Sequence, residues 1–204
     1  MGTNAPRPPG YELFFAPLQV ALDPKDHESI QFAYFASKFG HAGQTRETGE
    51  RYFDHPKATA WIYINEFAGR DPRIIIDCLL HDLSEDSYLL STYRIALNFG
   101  QDIALDVRAV TKLPKGKETT DEYLERVIAQ GPWAIAAKLT DRLHNLRTLS
   151  TCTKEKQEKQ IMETREFHIP RLISALQTYQ GEWDRYAEFL AEEIEKAITA
   201  VETQ

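Results

Sequence analysis

The sequence predicts an all-α protein. Apolar residues recur at helical spacing through most segments. Proline sits where helices would begin, as in Asp71-Pro72 and Gly131-Pro132. No stretch alternates apolar and polar residues long enough to make a strand, and no internal repeat is visible.

Each element can be justified in order. Residues 1–10 are Pro-rich and read as a mobile or extended segment. Residues 26–40 place Ile30, Ala33, Tyr34, Ser37 and Lys38 on one helical face, with Asp26 as the N-cap; Gly40 and Gly43 then break the helix. A polar turn over 45–50 leads to Tyr52-Phe53-Asp54-His55-Pro56. Pro56 suits the first turn of a helix running to about Phe67 and ending at Gly69. Its apolar residues lie on most faces, so it should be central. Asp71 caps the next helix, which runs through Leu83 and ends near the acids Glu85 and Asp86. Residues 88–99 and 101–112 make two more, split at Gly100. Pro114-Lys115-Gly116-Lys117 is a basic loop, and Thr120 opens a short amphipathic helix to Gln130. A helix over 132–149 follows, then one over 154–179 interrupted at Pro170. The last, 182–203, carries Trp183, Tyr186, Leu190, Ile194, Ala197 and Val201 at a 3.6 period. That stripe is core or a contact between copies in a homo-oligomer, not a cofactor box. The domain reading is an N-terminal extension over 1–25, a core over 26–150, and C-terminal helices over 151–204 packing on the core.

Bulk properties narrow the function classes. At 204 residues one good-sized core can form, and 42% apolar with 27% charged residues is ordinary for a folded domain. The net charge of −7 argues against a general nucleic-acid binder. It leaves room for a small anionic substrate if a metal or local basic cluster offsets the repulsion. Two cysteines make no disulfide framework, and Cys78 lies in an apolar run that would bury it. The N-terminal residues lack a signal-peptide apolar region, and no apolar run approaches the roughly 20 residues that span a bilayer. A cytoplasmic protein with no membrane partner is expected.

The chemistry concentrates in His55-Pro56, His81-Asp82, Glu85-Asp86 and Asp141. Together they offer two imidazoles and up to four carboxylates from three helices. A helical continuation past His81 would put Glu85 four residues after His81, and Asp86 four after Asp82, on one face. Asp141 lies on an apolar helix with Asn145 four residues on and Thr148 three further. Buried acids are costly unless they pair or bind metal. A His₂Asp₂ set with open positions suits manganese, iron or zinc. Such an ion would lower the pKa of a bound water and neutralise phosphate charge, with a spare carboxylate to take the proton. Alone, each fragment has an ordinary explanation: a turn before a helix, a surface ion pair, a polar loop. Their order along the chain, each at the edge of an apolar helix, is what points to a site.

That order resembles the HD metal-dependent phosphohydrolases, and the flanks sharpen the likeness. The block from His41 to Pro56 resembles the first motif of the hydrolase domain in the Rel/Spo alarmone enzymes, and Leu79 to Asp86 the second. Phe99-Gly100 and Val110-Thr111-Lys112-Leu113 follow in the expected order, and Lys138 to Leu149 is similar to the last motif nearly residue for residue. The likeness covers roughly residues 28–150. It implies a compact helical HD-domain fold using one Mn²⁺ and removing the 3′-pyrophosphate of (p)ppGpp. The products would be GDP or GTP and pyrophosphate, and the stringent-response alarmone would fall. With only two further helices after this region, the chain reads as a stand-alone small alarmone hydrolase without synthetase or regulatory domains.

Carried over by position, His55, His81, Asp82 and Asp141 would be metal ligands. Glu85 and Asp86 would activate or orient the water. Arg46 and Asn145 would contact the nucleotide, with Lys138, Arg142, Thr148 and Lys112 as further substrate contacts. One position departs from the family, because Glu47 stands where a basic residue is common; Lys112, Lys115 and Lys117 could offset its charge. The alternatives are an HD phosphohydrolase for an adenosine alarmone, a 3′-phosphorylated cofactor or a nucleoside monophosphate, and a non-catalytic nucleotide-binding module.

Overall fold

Most helix-start signals operate where the sequence places them. The computed structural model describes residues 8–47, 49–83 and 91–203, and among these the only β pairing is an isolated bridge between Thr45 and Arg51. The described residues fall into two units, divided between Lys112 and Leu113. That division lies inside the stretch read from the sequence as one core. Each unit buries its own apolar set.

The N-terminal unit begins with α1 (Tyr11–Gln19), inside the segment read as an extension. Phe14, Phe15 and Leu18 of α1 are fully buried, and the two phenylalanine rings lie 5.2 and 5.5 Å from Tyr34 of α2 (Pro24–Gly40). Helix α2 is capped by Asp23, not Asp26. The Asp23 carboxylate accepts from the Asp26 amide at 3.0 Å, and Pro24 fills the first turn. The physical reason is that first-turn amides lack partners, so the acceptor must precede them.

Helix α3 (Asp54–Trp61) widens into a π-helical turn over Ile62–Glu66. The chain then passes Gly69, where a Cβ would fall 2.2 Å from the Tyr63 ring, so only glycine fits. Helix α4 (Pro72–Leu80) follows, with the Asp71 carboxylate accepting from the Arg73 amide at 2.8 Å. Its residues from Ile74 to Leu80 are all buried, and it packs against α2, α3 and α6 (Gln101–Val110). Helix α4 ends at Leu80 and not at Leu83. The His81 imidazole takes up the Cys78 carbonyl at 2.9 Å, one of the last-turn carbonyls that a continuing helix would have used. Residues 84–90 lie outside the described residues, and α5 is described over Thr92–Phe99.

The C-terminal unit opens with α7 (Thr120–Gln130), started by a capping box between Thr119 and Glu122. Helix α8 (Pro132–Arg147) is buried along most of its length. Helix α9 begins as Lys154–Glu163, widens into a π-helix over Thr164–Ile173 and closes as Ser174–Gln177. The break expected at Pro170 does not occur. The wider turn accommodates a ring that lacks an N–H and would crowd the preceding carbonyl of an α-helix. Helix α10 (Glu182–Glu202) buries Tyr186, Leu190, Ile194, Ala197 and Val201 against α8, so the aromatic and aliphatic stripe is core. Among the described residues no helix is long and apolar enough to cross a membrane.

Candidate metal centre

Packing of α3 on α4 brings His55 to the end of α4. The Nε2 atoms of His55 and His81 lie 3.1 Å apart. Asp82 closes the group, with Oδ2 at 3.4 Å from His55 Nε2 and Oδ1 at 3.3 Å from His81 Nε2. Both imidazoles are buried, whereas the Asp82 side chain keeps 19% exposure and opens the group to solvent. One donor atom from each residue lies within 4.8 Å of the others.

The donor set fits a single divalent ion. With metal–ligand bonds of about 2.1 Å, neighbouring donors on one ion sit about 3.0 Å apart in octahedral and about 3.4 Å in tetrahedral geometry. The two imidazole nitrogens are separated by a distance in that range, and each has one Asp82 oxygen, a different one for each, at 3.3–3.4 Å. The His81 tautomer agrees. Its Nδ1 faces the Cys78 carbonyl, which can only accept, so Nδ1 carries the proton and Nε2 presents a lone pair.

Tyr52 lies in the first motif but is not among the site residues that the sequence suggests. Its hydroxyl donates to Asp82 Oδ2 at 3.1 Å. The signal available in the sequence was its place three residues before His55, at the end of the polar turn.

Arg46 sits in that turn, which is closed by backbone bonds from Arg46 to Glu50 at 2.9 Å and from Tyr52 to Gln44 at 3.0 Å. Arg46 is half-buried and Glu47 is exposed. Lys112 is exposed just past the end of α6. Glu85 and Asp86 lie outside the described residues.

Asp141 belongs to the C-terminal unit, on α8. The helical spacing seen in the sequence works here. Lys138 Nζ donates to Asp141 Oδ2 at 2.7 Å, and Asn145 Nδ2 donates to Oδ1 at 2.6 Å. Burial alone would lower the Lys138 ammonium, but the neighbouring Asp141 carboxylate outweighs it and holds the pKa above the ordinary lysine value. Burial pushes the Tyr123 phenol up, and its ring lies 5.5 Å from the ammonium.

Arg142 and Thr148 are bonded within the C-terminal unit. Arg142 is buried and donates to Gln160 Oε1, and to His168 Nε2 at 2.9 Å. Burial lowers its pKa from the arginine value. The Thr148 hydroxyl turns back onto α8, donating to the His144 and Asn145 carbonyls at 3.2 and 3.1 Å.

Two histidines and an adjoining aspartate at the packed ends of two helices define the centre of an HD domain. The family model for the HD domain matches residues 33–169, more than half of the sequence, and the chain belongs to that family. Among curated relatives, it is 39% identical over 153 residues to the guanosine-3′,5′-bis(diphosphate) 3′-pyrophosphohydrolase of Aquifex aeolicus, covering 72% of this chain and 21% of that protein. It is 38% identical over 161 residues to a GTP pyrophosphokinase of Streptomyces antibioticus, covering 74% and 19%. It is 33% identical over 162 residues to the bifunctional (p)ppGpp synthase/hydrolase SpoT of Escherichia coli K12, covering 75% and 22%. The chain thus spans about a fifth of the length of these relatives. A solved structure of a metazoan ortholog of SpoT, described as hydrolysing ppGpp, shares the fold. Its TM-score is 0.63 at 23% identity, over 84% of this chain and 96% of that one.

Proposed function

We propose that this chain hydrolyses the 3′-pyrophosphate of (p)ppGpp, with one manganese ion held by His55, His81, Asp82 and Asp141. The observation that carries the reading is the convergence of His55, His81 and Asp82 at ion-sized spacing, in the same unit as the Arg46 turn. The relatives named for this reaction support the choice of substrate. When bound, the ion supplies Lewis acidity toward water and phosphate oxygens.

The chain's own residues do the rest. Glu85 and Asp86 orient the attacking water and take its proton. The water oxygen joins the phosphorus nearest the ribose. The bond from that phosphorus to the 3′ oxygen breaks, the 3′ oxygen gains a proton, and pyrophosphate leaves. Arg46 and Lys112 pair with the phosphates, and Asn145 contacts the ribose. Lys138, held protonated beside Asp141, completes the proposed substrate contacts.

Glu47 favours a second reading, in which another phosphorylated nucleotide is the substrate. It is exposed next to Arg46 and opposes a highly charged anion there. A nucleotide panel with manganese separates the two. Pyrophosphate release from ppGpp, lost in Asp82→Ala, supports the first. Release of phosphate from adenosine or 3′-phosphorylated nucleotides with none from ppGpp supports the second.

A further inference from the structure

We infer that Tyr52 is a positioning residue for Asp82 and couples the metal-holding cluster to the turn that carries Arg46. The inference deepens the metal-site reading above and rests on it.

Three polar groups of Tyr52 reach three different parts of the N-terminal unit. Its amide donates to the Gln44 carbonyl at 3.0 Å, closing the turn that holds Arg46. Its carbonyl accepts from the His55 amide at 3.0 Å, at the start of the helix that bears the first imidazole. Its hydroxyl donates to Asp82 Oδ2 at 3.1 Å, across thirty residues of sequence.

The ring is itself held in place. It stacks on the His41 imidazole with centroids 4.5 Å apart and planes 20° from parallel. His41 is 3% exposed, and its Nδ1 lies 2.7 Å from Gln44 Oε1. The phenol therefore arrives at Asp82 from a fixed direction, backed by the same turn whose backbone it closes.

Asp82 is where such a hold matters. It is the most exposed of the three donors, and a carboxylate can rotate to present either oxygen or both. A hydrogen bond on Oδ2 fixes the carboxylate plane and leaves Oδ1 turned toward His81 Nε2. Partners that orient metal-binding side chains in this way are commonly worth about 10–100-fold in metal affinity.

Tyr52→Phe removes only the hydroxyl and keeps the ring, the stack and both backbone bonds. Manganese binding measured by electron paramagnetic resonance, without nucleotide, should weaken by about 10–100-fold. The melting temperature of the metal-free protein should stay unchanged. Saturating manganese should restore kcat, with KM for ppGpp within about twofold of wild type if Tyr52 acts through the metal. His41→Ala, which removes the floor under the ring, should weaken manganese binding in the same direction. Manganese binding in Tyr52→Phe as tight as in wild type overturns the inference and leaves the proposed reaction standing. A wild type that binds manganese but releases no pyrophosphate overturns the proposed reaction and leaves Tyr52 in its role.

Discussion

Asp77→Asn should make the protein more stable at neutral pH, by an amount that grows as pH rises. Asp77 is fully buried on the apolar helix α4, and neither of its oxygens meets a donor among the described residues. Its charged neighbour is Asp106 on α6, 1% exposed, whose Oδ2 lies 2.6 Å from Arg73 Nε. One guanidinium thus serves two buried acids. Burial first, and the Asp106 carboxylate second, push the Asp77 carboxyl well above the ordinary range, against the pull of Arg73. Asp77 therefore keeps a proton in the folded state that it can share with Asp106. The sign follows from the raised folded value. The stabilisation is complete below the unfolded carboxylate value of about 3.9 and is lost as pH climbs from there through the raised folded value. Within that window the wild type loses about 1.4 kcal/mol per pH unit through this one group. Asparagine has the same shape, donates to Asp106 through its amide and does not titrate. Urea unfolding of both proteins from pH 5 to 8, with chelator present, reads the difference directly. Parallel stability curves across that range would refute the protonated-pair argument.

Two further outcomes rest on neighbouring charge pairs. Arg73→Gln should destabilise the N-terminal unit by about 3 kcal/mol, because it removes the guanidinium that pairs with the buried Asp106 carboxylate at 2.6 Å; urea unfolding at pH 7 measures it. Lys138→Met should cost about 3–5 kcal/mol by removing the buried cation that donates to Asp141 at 2.7 Å. Because the Lys138 pKa is raised, the contribution of this pair is fully present below the unfolded lysine value near 10.4 and is lost only as pH rises through the folded value. Wild-type and Lys138→Met stability should therefore run parallel from pH 6 to 9, and a gap that changes across that range would count against the assignment.

What could be read in advance follows a simple physical division. Interactions between residues three or four apart on one helix are written in the spacing. Asp141 and Asn145 meet at the spacing read from the sequence, and the apolar stripe from Tyr186 to Val201 is buried as core, whereas Lys138, read only as a substrate contact, also pairs with Asp141. Helix starts are nearly as legible, because Asp-Pro and Thr-x-x-Glu act through local backbone bonds. Reading Asp26 as the cap erred by looking inside the helix for an acceptor that must precede it. Pro170 misled for a related reason: proline forbids an ordinary α-turn but not a wider one, and packing decides which forms.

Contacts across helices obey no such spacing. Tyr52 meets Asp82 over thirty residues and Arg73 meets Asp106 over thirty-three. The one advance sign of the second contact was an aspartate inside the run from Ile74 to Leu80, read there only as part of an apolar segment. A carboxyl at such a position must find a proton, a cation or a metal once the helix is buried. Two acids of the first unit, Asp82 and Asp77, divide along that line. Asp82, partly exposed beside two imidazole nitrogens, has the surroundings of a metal ligand. Asp77, sealed against another acid, has the surroundings of a neutral structural group. Only four positions separate His81 from Asp77, so the difference lies in what the packed helices bring to each, and removing the proton site at one should leave manganese binding at the other intact.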